Sequence, residues 1–198
     1  MILILAFSRF PKVQLKSNEK SGALATHIRL IKNKHIRLFF LGMICYVSAE
    51  QGIANWISQF LNAYHGIDPK MLGAATISDF WGLMTLGGII GLVLLKILDS
   101  RWVLIPFSGL AMICLILMLF SHAEIALICF PLTGLFLSVM YPILFSLTLN
   151  SFADHHGSIL GILVTGIIGG SILPLIIGGL GDAVGLRSAM YFLFFHLP

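Results

Sequence analysis

Glu50 stands in the middle of an apolar run from Leu38 to Leu61, and Gln51, Asn55 and Gln59 follow it at helical spacing. A run of that length crosses a bilayer, where an ionisable side chain marks a solute or ion pathway. Two tasks suit the carboxylate: reversible protonation where it is desolvated, or coordination of sodium where it stays ionised. A structural hydrogen bond or ion pair with a neighbouring bundle is the third reading. The amides both donate and accept hydrogen bonds, as sugar hydroxyls do. On a helical wheel Ser48, Gln51, Asn55, Ser58, Gln59 and Asn62 fall within about 100° of arc. Such a stripe faces a water-filled cavity or another helix.

Other polar residues inside apolar runs have weaker claims. Asp79 lies about two turns into a second run and is either a further cation-coupling group or a partner in helix packing. Trp56 and Trp81 offer flat aromatic faces that can stack on a sugar ring or simply fill space. Ser138 and Tyr141 are polar residues just before Pro142 in a later run, where they line a cavity or serve the structure. Lys96, Asp99 and Arg101 sit at a turn between runs, where they read as interfacial anchors. His155 and His156 are adjacent without further spaced ligands, so no metal site is expected. The chain has no phosphate-binding glycine loop, no HExxH and no GxSxG, and neither an enzyme activity nor a cofactor is indicated.

These residues must be positioned by membrane helices, because 58% of the 198 residues are hydrophobic, only 10% are charged and the mean hydropathy is +1.00. No soluble domain of this size hides so much apolar surface. Full spans are expected at 38–62, 72–96, 102–120, 125–149 and 158–181, each near the ~20 residues that a ~30 Å hydrocarbon core requires. A sixth begins near Ser188 and stops after about ten residues, and residues 1–7 read as the cut end of a preceding helix. Residues 8–37 form a polar, basic loop holding eight of the twelve lysines and arginines. With that loop cytoplasmic, Lys96 and Arg101 also fall inside and only Lys70 and Arg187 outside. The basic block lacks interleaved aromatics and adjoins a span, so nucleic acid is not the expected partner. Cys45, Cys114 and Cys129 lie within spans as small apolar fillers.

Glycines recur at four-residue spacing, Gly87 with Gly91 and Gly166 with Gly170, which lets neighbouring membrane helices approach closely. Pro142 and Pro174 lie within spans, where each removes a backbone hydrogen bond and bends its helix.

Three of the spans carry a family likeness. The fourth, Gly134-Leu-Phe-Leu-Ser-Val-Met-Tyr-Pro-Ile-Leu-Phe-Ser-Leu-Thr-Leu149, closely resembles the tenth helix of the fucose permease and glucose/galactose transporter group in the major facilitator superfamily. The fifth, with Thr165-Gly-Ile-Ile-Gly-Gly-Ser-Ile-Leu-Pro174 and the closing Gly178-Gly-Leu-Gly-Asp182, is similar to that group's eleventh helix. Tyr46-Val-Ser-Ala-Glu50 through Ile57 resembles the seventh, with Ser48 where the group often has glycine. The resemblance implies an all-α integral membrane fold, the second six-helix bundle of a twelve-helix sugar:cation symporter, with residues 38–198 as that bundle. It further implies a hexose or deoxyhexose substrate, H+ or Na+ as coupling ion, a location in the cytoplasmic membrane, a cavity-lining Tyr141, and a missing N-terminal six-helix bundle as partner. An exporter of drugs or other small molecules is the alternative within transport. A half-transporter remnant without transport activity is the alternative outside it.

Overall fold

The computed structural model describes residues 24–196. The expected helix end at residues 1–7, and the part of the basic loop up to residue 23, lie outside the described residues.

The remainder of that loop holds a helix. Leu24–Ile31 forms α1, and only Lys32 and Asn33 separate it from α2, Lys34–His65. Asn33 caps α2, its side-chain oxygen accepting from the His35 N–H at 2.9 Å. At 32 residues α2 is about 48 Å long, more than the hydrocarbon thickness. Gly66 ends it in the left-handed conformation, φ 66°, with its N–H bonded to the Asn62 carbonyl at 3.0 Å. A side chain with a Cβ is strained there, which is why glycine closes the helix.

A π-helical turn, Pro69–Gly73, leads into α3, Ala74–Ile97, followed by α4, Ser100–Phe120. The fourth span is made of two pieces, α5 at Ala123–Leu137 and α6 at Met140–Ser151. The break at Ser138 and Val139 has a local cause: Pro142 has no N–H for the Ser138 carbonyl one turn earlier, and its ring crowds that carbonyl. The fifth span is also jointed, α7 at His156–Thr165 and α8 at Gly169–Val184 meeting through a 3₁₀ turn, Gly166–Ile168. Pro174 lies inside α8, as Pro106 does in α4 and Pro131 in α5. α9, Leu186–Ala189, continues into a 3₁₀ segment, Met190–Phe195, too short to span. The five long apolar segments thus match the expected spans to within about four residues.

α2 is the axis of the bundle. Met43, Ile53, Ile57, Phe60 and Leu61 are fully covered and pack with Phe80 of α3, Phe130 and Leu137 of α5, and Leu173 and Ile177 of α8. Outside this core the surface is apolar: Trp102 and Ile105 of α4 are 74% and 70% exposed and Leu175 of α8 is 77%. In water such a surface would aggregate, whereas in hydrocarbon it is the solvent-facing side. The chain is a multi-pass membrane protein.

Close helix approach relies on the glycines. A Cβ on Gly87 or Gly91 would stand 2.5 Å from the Leu135 carbonyl oxygen or from Val139 Cγ1, so α3 meets the fourth span there. Likewise a Cβ on Gly170 would come 2.8 Å from Gln51 Cγ, and one on Gly166 3.0 Å from Met43 Cγ, which joins α8 and the turn before it to α2.

Candidate functional site

The amide stripe on α2 survives in part. Ser48 is 2% exposed, because α8 crosses it at Gly169, where a Cβ would lie 2.6 Å from Ser48 Oγ. Ser58 donates to the Pro69 carbonyl at 3.2 Å and Asn62 to the Ile67 carbonyl at 3.1 Å, so both hold the turn into α3. That leaves Gln51, half-buried, with Asn55 and Gln59 exposed. Asn55 Nδ2 donates to the Gln51 carbonyl at 2.8 Å and lies 3.4 Å from Gln51 Oε1. Asn55 Oδ1 accepts no hydrogen bond from the described residues, and Gln59 has no side-chain hydrogen bond to them. Three amides on a membrane helix, two of them exposed and Gln59 without a side-chain hydrogen bond to the described residues, suit a ligand rich in hydroxyls.

Glu50 is half-buried beside them and accepts from Gln51 Nε2 at 3.1 Å. Its second neighbour, Tyr46, lies one turn earlier on α2, and its hydroxyl interacts with the carboxylate. The Tyr46 ring stands 6.1 Å from that of Tyr141, which in turn lies 4.7 Å from Phe145. Tyr141, just past the break at Ser138 and Val139, thus packs against the tyrosine that neighbours Glu50. The sequence signal for this neighbour is the four-residue spacing of Tyr46 from Glu50, which puts both on one face of the helix.

Two expected cavity residues are placed at helix crossings instead. Ser138 is 8% exposed, donates to the Leu135 carbonyl at 2.6 Å and packs against Gly87. Trp56 is half-buried, its Nε1 donates to the Pro174 carbonyl at 3.1 Å, and its ring covers Gly178, where a Cβ would stand 2.8 Å away. A wheel drawn on one helix shows which way a side chain points but not which neighbour covers it. Asp79 belongs to a different surface: it is exposed and lines an open cleft of about 420 Å³ between α3 and α5 with Ser78, Gly82, Leu86 and Pro131. Lys96, Asp99 and Arg101 are exposed at the turn before α4, and His156 Nε2 pairs with the Phe152 carbonyl at 2.6 Å.

At the other end of α2, Arg187 lies over the ring of Tyr64, 4.5 Å from its centroid, and donates its backbone N–H to the Tyr64 hydroxyl at 2.9 Å. The contact fastens the turn before α9 to the end of α2.

No protein-family model matches the chain. Among solved structures, the Escherichia coli fucose:proton symporter superimposes with a TM-score of 0.82 at 24% identity, over 98% of this chain and 48% of that one. A second structure, described as a major facilitator superfamily transporter in the outward conformation, gives 0.83 at 22% identity over the same shares. The chain has the fold of one half of a major facilitator transporter. Its sequence relatives agree with the resemblance read from the spans: a glucose/galactose transporter of Brucella abortus is 31% identical over 96% of this chain and 46% of that protein. The L-fucose-proton symporter of Escherichia coli is 27% identical over 92% of this chain and 42% of its own length. A putative glucose/galactose transporter of Helicobacter pylori is 26% identical over the whole chain and half of that protein. The chain thus spans about half the length of the curated relatives it matches.

Proposed function

We propose that the chain forms the second bundle of a secondary transporter that moves a hexose or deoxyhexose across the cytoplasmic membrane by alternating access. A cation, H+ before Na+, is the coupled ion. Residues 38–198 are the bundle, residues 8–37 its cytoplasmic connection, and a facing six-helix bundle completes the path, as substrate in this superfamily sits between two halves. The single observation that carries the reading is the amide set of half-buried Gln51 and exposed Asn55 and Gln59 next to a half-buried carboxylate at mid-span. In this reading the amides hold sugar hydroxyls, the Tyr141 hydroxyl adds a contact from the jointed span, and Glu50 binds the coupling ion. The names of the relatives, glucose/galactose transporter and L-fucose-proton symporter, support the substrate class.

The test is uptake of labelled fucose, glucose, galactose and N-acetylglucosamine by cells producing the chain joined to a facing bundle, with and without an imposed proton or sodium gradient. Gradient-driven uptake of one sugar is expected, with Glu50→Gln removing the gradient dependence. Asn55→Ala is expected to lower uptake about tenfold or more, the loss when a sugar hydroxyl and a buried polar partner are left unpaired. Absence of uptake for all four sugars refutes the substrate class.

A further inference from the structure

The basic segment ahead of the first span holds a surface that neither transport nor packing uses. α1 has two faces. On one, His27 comes against Gly161 of α7 and Leu30 packs with Ile36, Ile159 and Ile162. On the other, Ile28 is 51% exposed and Ile31 37%. At 100° per residue Ile31, Ile28, Lys32 and Arg29 lie side by side over about 160° of arc. All four are in the open.

Geometry fixes this face relative to the membrane. Asn33 donates its N–H to the Leu30 carbonyl at 2.9 Å while capping α2, so α1 cannot swing freely from the start of the span. The first turns of α2 continue the same chemistry, with Lys34 and Arg37 exposed and then Leu38 and Leu41, 55% and 53% exposed, marking where hydrocarbon begins. No acidic residue occurs between Glu19 and Glu50, so none of these cations has a carboxylate nearby in sequence. Among the described residues none of them forms a salt bridge or donates a side-chain hydrogen bond. Exposed isoleucines beside four exposed cations that have no carboxylate partner among the described residues, within two turns of a span, match the boundary between acyl chains and anionic headgroups.

We propose that α1 lies in the headgroup layer of the cytoplasmic leaflet as a binding site for anionic phospholipid. Ile28 and Ile31 enter the acyl boundary, and Arg29, Lys32, Lys34 and Arg37 hold headgroup phosphates. The helix then fixes the depth of the start of α2 and ties it, through Gly161, to α7.

The experiment places a spin label at Ile28→Cys in the full chain, with Cys45, Cys114 and Cys129 replaced by serine or alanine, and a reference label at Asp154→Cys in an exposed loop. Nanodiscs contain phosphatidylcholine alone or mixed with phosphatidylglycerol. Collision with oxygen relative to a water-soluble nickel chelate is expected to be severalfold higher at Ile28 than at Asp154, and higher again with phosphatidylglycerol. Arg29→Gln with Lys32→Gln and Arg37→Gln is expected to erase the phosphatidylglycerol increment. If that variant fails to incorporate, molar salt on the native side chains must erase it, because exposed charge pairs are screened there. Nickel access equal to that at Asp154 overturns the membrane placement. Low access to both reagents overturns it in favour of a protein covering the face, and indifference to phosphatidylglycerol overturns the headgroup site.

Discussion

Gly87→Ala tests how closely α3 and the fourth span are bound to approach. The added Cβ would stand 2.5 Å from the Leu135 carbonyl oxygen and 3.1 Å from Leu135 Cα, and would also meet Ser138 Oγ. That oxygen contact is about 0.8 Å short of the ~3.3 Å at which carbon and carbonyl oxygen ordinarily meet. Two of the three atoms are backbone, so relief requires one helix to move. Gly88→Ala is the matched control: it makes the same change one residue later on the same helix, with nothing within 4 Å of the new Cβ. Both variants gain the same helix propensity over glycine, and the difference between them isolates the overpacking term of ~1–3 kcal/mol. At roughly 2–4 °C per kcal/mol for a chain of this size, Gly87→Ala should melt ~2–12 °C below Gly88→Ala. Cys114 and Cys129 are buried. Unfolding in detergent can therefore be followed by their reaction with a maleimide dye. A Gly87→Ala protein melting at or above Gly88→Ala refutes the packing argument.

Trp56→Phe removes the indole N–H that reaches the Pro174 carbonyl and should cost about 1 kcal/mol, read as a fall of a few degrees in the same thermal assay. An unchanged melting temperature would show that the bond does not tie α2 to α8. Tyr64→Phe keeps the ring beneath Arg187 but removes the acceptor for its backbone N–H, again a loss of about 1 kcal/mol, while Tyr64→Ala should lose more because the cation–π contact goes too. Equal melting of the two variants would refute the stacking contribution.

Hydropathy made the five long segments legible, because each must cover the same bilayer thickness whatever its partners are. The break above Pro142 was also readable, since a missing N–H acts within its own helix. Ser48, Ser138 and Trp56 were not readable in that way. Each points along the direction its own helix dictates, and each is covered by a glycine on another helix: Gly169, Gly87 and Gly178. Asn55 and Gln59 remain exposed, because none of the described helices covers that part of the face. α1 was hidden for a different reason. Eight residues with two basic neighbours read as loop by composition, and only the spacing of Ile28 and Ile31 against Leu30 carries the helical pattern.

The unbroken length of α2 has a mechanical consequence. It is a single 32-residue rod, whereas the fourth and fifth spans packed on it are hinged, one at Ser138–Val139 and the other at Gly166–Ile168. A rod of about 48 Å turned by about 10° around its middle carries its two tips about 4 Å in opposite directions. One tip bears Asn33 and α1, and the other bears Tyr64 under Arg187. A tilt of that single element would therefore move its two tips in opposite senses, and the breaks in the fourth and fifth spans are where those spans would bend to follow it.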